Sequence, residues 1–185
     1  MAKVAGFDPG PIFDVLLRHQ VEFIGIGGIA ATTYCSSYVT LDADICYART
    51  PENMRKLAAA LRGLGATLRG APPGLPFKLD EKTLAMGLNF TFETKYGPLN
   101  TLGEISGVGA YEDMLGDALD ADVGGVKIRV MSLPKLIASK KAAGRPKDKM
   151  LLLELNLLLG AQGAVDRHRE QRRGNSGGGN SAKKK

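Results

Sequence analysis

The chain has 185 residues, 44% of them hydrophobic, 24% charged and 6% aromatic, the make-up of an ordinary soluble globular protein with one domain as the first expectation. Its 24 glycines follow no three-residue period, and its apolar share is too high for an unfolded chain, which excludes collagen-like and wholly disordered classes. The formal charge is +6, but residues 166–185 carry seven basic and two acidic residues, a local +5 that leaves only +1 for the first 165.

In chain order, Pro9 and Pro11 open a segment in which Ile12, Val15 and Leu16 recur at helical spacing, and "VEFIGI" follows as a short β-rich run ending at Gly27-Gly28. Residues 29–36 are small and continue as a helix. "VTLDADICY" alternates with period two, and "PENMRKLAAALRGLG" reads as a helix that starts with Pro51 and closes at Gly63 or Gly65. "APPGLP" is a loop. "GLNFTFET" and "GPLNTLGEI" read as two strands around a Tyr96-Gly97 turn, and "GGVKIRVM" as another strand. Ser132 is placed to cap the helix "LPKLIASKKAAG", with Pro134 in its first turn and Gly144 at its end, and a last helix is expected from Pro146 to Leu159. The order implies a mixed α/β domain over residues 1–160 and a flexible basic Gly/Ser/Lys-rich tail over 161–185.

The tail "RHREQRRGNSGGGNSAKKK" has no apolar period. It reads as a solubilising end or as an electrostatic arm for RNA or DNA, without the interleaved aromatics of a stacking single-strand binder. The opening residues lack a basic segment followed by an apolar core, and Cys35 and Cys46 are the only cysteines, so the expected compartment is cytoplasmic, with free thiols. The most apolar windows, residues 21–31 and 151–159, fall well short of the roughly 20 residues that cross a bilayer, so no membrane span is expected.

Chemistry concentrates at Asp42 and Asp44. Two residues apart in a strand pattern, their side chains leave the same sheet face from α-carbons about 6.5 to 7 Å apart, with Leu41, Ala43 and Ile45 filling the opposite face. Paired carboxylates suit a hard divalent cation and the phosphates it carries. Gly27-Gly28 ends a strand and opens a helix, so backbone N–H groups and the positive helix end can approach an anion unobstructed. Alone, that glycine pair is a tight turn more often than a phosphate site; its weight comes from the two acids.

A hydrophobic residue followed by Gly-Gly, a spacer and Asp-x-Asp resembles the signature of the DNA polymerase beta superfamily of nucleotidyltransferases, here Ile26-Gly27-Gly28, thirteen residues, and Asp42-Ala43-Asp44. The segments "GGIAATTYCSSYVTLDADICYARTPENMRKLAAAL", "GPLNTLGEISGVGAYEDML" and "LPKLIASKKAAGRPKD" look like small bacterial members, among them abortive-infection and toxin/antitoxin types, over roughly residues 20 to 158. The resemblance implies a nucleotidyltransferase fold, with a mixed twisted sheet flanked by helices. It implies transfer of a nucleoside monophosphate from an NTP to a hydroxyl of an RNA, a protein or a small molecule, Mg²⁺ or Mn²⁺ held by three carboxylates, and, for the toxin type, a cognate antitoxin. Asp42 and Asp44 would bridge the metals, and Gly27 and Gly28, with Ser36 or Ser37, would hold the phosphates.

The third carboxylate is expected in "YGPLNTLGE", where this chain has Asn100. An amide offers one neutral oxygen where the metal that activates the nucleophile wants an anion, so metal binding and catalysis are expected to weaken; the alternative function is a nucleotide- or partner-binding module. A two-residue Tyr96-Gly97 turn would set Glu93 opposite Asn100 and restore the charge, although an exposed strand glutamate is the commoner reading. Cys35 stands where these proteins commonly have glycine. In the helix after Ser132, Leu133, Leu136, Ile137 and Lys140 share one stripe, so Lys140 either snorkels to water or reaches the triphosphate. Arg145, Lys147 and Asp148 of "GRPKD" are substrate contacts or a brace for the last helix. Tyr34, Tyr38 and Tyr47 are candidates for stacking on a base or for half-buried packing. Cys46, His19 and His168 have neither metal-ligand spacing nor a nucleophile partner.

Overall fold

The computed structural model describes residues 7–35, 38–72 and 77–176, with side chains to residue 164. Sixteen elements follow one another among them: α1 (Gly10–Arg18), β1 (Phe23–Gly25), α2 (Gly27–Tyr34), β2 (Ala43–Tyr47), α3 (Pro51–Gly63), β3 (Thr67–Leu68), α4 (Glu81–Met86), β4 (Asn89–Thr94), β5 (Gly97–Leu102), β6 (Glu104–Ile105), β7 (Gly109–Ala110), α5 (Tyr111–Met114), β8 (Leu119–Val123), β9 (Val126–Val130), α6 (Leu133–Ala143) and α7 (Asp148–Ser176). Seven of these strands form one mixed sheet in the order β3-β4-β5-β2-β1-β9-β8. Parallel pairs join β2 to β5 and β1 to β9, and the other neighbours are antiparallel. The expected α/β architecture is borne out.

The central strands are short and buried because both faces are covered. All three residues of β1 are buried, and in β2 only Asp44 is partly open. Helix α1 packs on α3 and β9, α2 on β2 and α6, and α7 on α6. Ile12, Phe13 and Leu16 of α1 join Leu57 and Leu61 of α3 and Ile24 and Ile45 of the sheet in one core, which supplies the dominant favourable term for folding. Both cysteines belong to this core as free thiols. Burial pushes the Cys46 thiol up to about 12, with Glu112 and Asp113 adding to the rise.

Local signals explain the helix ends. Thr50 accepts from the Asn53 backbone N–H at 3.2 Å to cap α3, with Pro51 in the first turn. The Asn53 side chain is itself buried and ties three segments together. Its Oδ1 accepts from the Glu22 N–H at 2.7 Å, and its Nδ2 donates to the carbonyls of Glu22 and Ala48 at 3.0 and 2.8 Å. Gly144 ends α6 in the left-handed conformation at φ 60°. Ser132 stands at the N-cap of α6 as expected, but its hydroxyl donates to Asp117 Oδ2 at 2.7 Å rather than accepting from the helix.

Four readings of the sequence change. Strand β2 begins at Ala43, so Asp42 lies in the bend before it, and Leu41 is exposed (71%) instead of packing beside Ala43 and Ile45. The Thr40 hydroxyl lies 3.0 Å from the Asp42 carbonyl and 3.2 Å from its Oδ1, satisfying that backbone oxygen locally. The β4–β5 turn is Lys95-Tyr96, because Thr94 pairs with Gly97. The last helix begins at Asp148 and runs on to Ser176, past the expected end at Leu159. Strand β8 adds an edge strand over a segment for which the sequence pattern implies no element. No helix among the described residues is long and apolar enough to cross a membrane.

Candidate active site

A cleft of about 380 Å³ opens where β2 and β5 run side by side, walled by the start of α2 and by the α6–α7 connection. Gly27, Gly28, Asp42, Asp44, Asn100, Lys140 and Lys147 all line it, so seven of the candidate residues meet in one place. The parallel register sets Asp44 beside Asn100, and the Asn100 amide nitrogen donates to both acids, to Asp42 Oδ2 at 3.0 Å and to Asp44 Oδ1 at 2.7 Å. The two carboxylates therefore converge although only one lies on the strand.

The glycine pair is fitted to Asp44. Gly27 has φ 55°, and a β-carbon there would lie 2.5 Å from Asp44 Oδ2, so position 27 requires both the conformation and the size of glycine. The Gly28 N–H points at the same oxygen from 3.4 Å. Burial pushes the Asp44 carboxyl above its ordinary range; the hydrogen bond from Asn100 opposes this and the charge of Asp42 adds to it. This end of the cleft holds two acidic groups against neutral donors, the Asn100 amide and the Gly28 N–H.

At the opposite wall the charges cancel. Lys140 is buried, and its Nζ donates to Asp148 Oδ1 at 2.9 Å. Arg145 Nε stands 3.4 Å from the other oxygen, Oδ2, close enough for attraction, while no N–H is aimed at that atom. Of the two explanations for Lys140, neither snorkelling nor a free point charge describes it: the ammonium is spent on Asp148. Arg145 and Lys147 line the cleft and are exposed; Arg145 already stands against Asp148, while Lys147 has no ion pair among the described residues. Tyr38 also lines the cleft, whereas the Tyr34 hydroxyl donates to the Met131 carbonyl at 2.9 Å and Tyr47 is fully buried, accepting from Arg49 at 2.9 Å. Thr40, Thr91 and Ser139 add hydroxyls that the sequence reading did not single out.

Glu93 does not stand opposite Asn100. The observed register pairs Glu93 with Pro98 and Thr91 with Asn100, which moves Glu93 one strand repeat, about 6.5 to 7 Å, toward the turn on the same face. Its carboxylate lies 3.8 Å from Arg69 and is half exposed. The cause is local: Gly97 adopts φ 109°, and the Thr94 hydroxyl donates to the Gly97 carbonyl at 2.7 Å while accepting from the Tyr96 N–H at 3.1 Å. Ser36 and Ser37 lie outside the described residues. Cys35 is buried and closes α2 without lining the cleft.

The donor set decides which ion would fit. Two carboxylates and one amide oxygen are hard oxygen ligands for Mg²⁺ or Mn²⁺, and a cation that brings phosphate oxygens with it would complete its shell. No group of three or more acids, histidines or cysteines placed to hold a metal occurs among the described residues, so the protein side chains at this end offer two carboxylates and no third. Asn100 Oδ1 is buried with no donor among the described residues, an imbalance that costs on the order of 1–3 kcal/mol.

No family model and no curated protein matches the sequence. Solved structures share its fold. The antibiotic-resistance factor ANT(2'')-Ia superposes with a TM-score of 0.52 at 16% identity, over 90% of this chain and 92% of that one. The lincosamide antibiotic adenylyltransferase LnuA, determined with lincomycin bound, gives a TM-score of 0.52 at 14% identity, over 80% of this chain and 94% of that one. The chain has the nucleotidyltransferase fold. In this nucleotidyltransferase fold, the expectation from the Gly-Gly and Asp-x-Asp spacing is borne out at the level of architecture.

Proposed function

We propose that the cleft binds a nucleoside triphosphate with one divalent cation and transfers its nucleoside monophosphate to a hydroxyl of a small acceptor molecule. The reading is carried by the convergence of Asp42 and Asp44 on the Asn100 amide beside a glycine pair at a helix start. Asp42 and Asp44 would hold the cation, which when bound supplies a Lewis acid toward the phosphates. The backbone of Gly27 and Gly28 and the N-terminal end of α2 receive a phosphate group, and Arg145 and Lys147 offset its remaining charge. The acceptor oxygen bonds to the α-phosphorus as the bond to pyrophosphate breaks, and the hydroxyl proton leaves to solvent. A small acceptor is supported by the adenylyltransferase that shares the fold, which was determined with lincomycin bound.

A second reading, a nucleotide-binding module with little turnover, is favoured by one observation: an amide occupies position 100, and Glu93 is displaced from it. Both readings are tested by incubating the protein with radiolabelled NTPs and Mg²⁺ or Mn²⁺, in separate arms with hydroxylated small molecules, with RNA and with the protein alone. Labelled small acceptor and stoichiometric pyrophosphate are the expected products. Asn100→Asp should raise the rate. Label appearing only on RNA or protein would overturn the acceptor class, and a gain of turnover from nothing in Asn100→Asp would favour the module.

A further inference from the structure

The Asn100 amide is bonded in a way that depends on what the site holds. Its nitrogen donates to both carboxylates, while its oxygen is buried without a donor among the described residues. An amide carries its donors and its acceptor on opposite sides, and half a turn about Cβ–Cγ, a broad and soft torsion, exchanges them. Facing two bare carboxylates, only the donor-inward arrangement is tolerable, since an inward oxygen would meet lone pairs alone. Facing a cation, only the oxygen-inward arrangement is tolerable, since the N–H hydrogens carry positive charge. The two states exclude each other. A cation arriving at Asp42 and Asp44 must displace two charge-assisted hydrogen bonds, and it receives one neutral oxygen in return.

We propose that Asn100 makes this site refuse a bare divalent cation and accept it only as the cation–nucleoside triphosphate complex, whose phosphate oxygens bring the ligands and charge that a third carboxylate would supply. The inference rests on the nucleotide reading above and adds to it an order of binding and a specificity-setting residue. An aspartate at position 100 has the opposite consequence, because three carboxylates crowded together repel one another and a bare ion relieves them. A leucine, branched at the same carbon, has no donor for the ion to displace.

Mn²⁺ titrations of the full chain, followed by loss of the free-ion electron paramagnetic resonance signal, test this with and without a non-hydrolysable ATP or GTP analogue. The parent should bind Mn²⁺ alone weakly and about a hundredfold more tightly with the analogue. Asn100→Asp should bind Mn²⁺ alone about a hundredfold more tightly than the parent, and Asn100→Leu about tenfold more tightly, the size expected for losing charge-assisted hydrogen bonds. A parent that takes up bare Mn²⁺ as tightly as both variants overturns the inference and leaves the nucleotide reading standing. If neither parent nor variants bind the analogue with Mn²⁺, both fall. The parent alone gives an independent readout: the side-chain amide proton resonances of Asn100 should shift on adding Mg²⁺ with the analogue and stay in place with Mg²⁺ alone, and a shift with Mg²⁺ alone contradicts the proposal.

Discussion

The two ends of the cleft handle buried charge in opposite ways. Around Asp42 and Asp44 the negative charge is met by neutral donors, the Asn100 amide and the Gly28 N–H, and no cation among the described residues touches it. Around Lys140 the charge is cancelled within the chain by Asp148, with Arg145 adding to the pairing. A charge left uncompensated at a cost is available to a ligand. A charge already paired serves the fold, because breaking a buried pair leaves its partner stranded. On the proposed function the acid end would be the reactive end, while the Lys140–Asp148 pair joins α6 to the start of α7.

Mutation should separate the two ends, and the largest difference is expected in stability. Asp148→Ala strands a buried ammonium and should cost about 3–5 kcal/mol in denaturant unfolding, whereas Asp44→Asn removes a desolvated charge and should change stability by no more than about 1 kcal/mol. Similar losses in both variants would break the contrast. Gly27→Ala comes next. Its left-handed conformation and a β-carbon against Asp44 Oδ2 should cost about 1–3 kcal/mol and weaken nucleotide binding together with stability, as measured by unfolding and by calorimetry on one preparation.

The smallest effect concerns Asp117, which anchors Ser132 and Lys135 at the start of α6. Partial burial pushes its carboxyl up, but the hydrogen bonds from Lys135 and Ser132 outweigh this and hold it below the usual range. Its contribution is thus present above the ordinary aspartate value of about 3.9 and is lost as pH falls through the lower folded value. The carboxylate is nearly half exposed, so solvent screening limits the effect to below about 1 kcal/mol. Unfolding curves of Asp117→Asn and the parent should differ slightly at pH 7 and converge below pH 4.

Elements with local signals were legible in the sequence. The Thr50-Pro51 start of α3 and the Pro134 to Gly144 span of α6 carry their own stop and start chemistry, and the Asp-x-Asp and Gly-Gly pairs meet as their spacing suggests. Features set by a single hydroxyl or by distant partners were hidden. The alternation in "VTLDADICY" continues past the point where Thr40 satisfies the Asp42 carbonyl, so the strand looks longer than it is. The hairpin register turns on the Thr94 hydroxyl and the positive φ of Gly97, and a two-residue slip in the sum of paired positions keeps Glu93 on the right face at the wrong level. The Lys140–Asp148 pair depends on the angle between two helices, and the polar run of β8 hides an edge strand because Asp120 and Asp122 face outward.

Calorimetric titration of an NTP into the parent and into Asp42→Ala, with and without Mg²⁺, tests the central claim most directly. The account predicts Mg²⁺-dependent binding by the parent and at least about a tenfold weaker affinity in Asp42→Ala, with unfolding unchanged. Equal affinity in the two proteins, or parental binding indifferent to Mg²⁺, would contradict it.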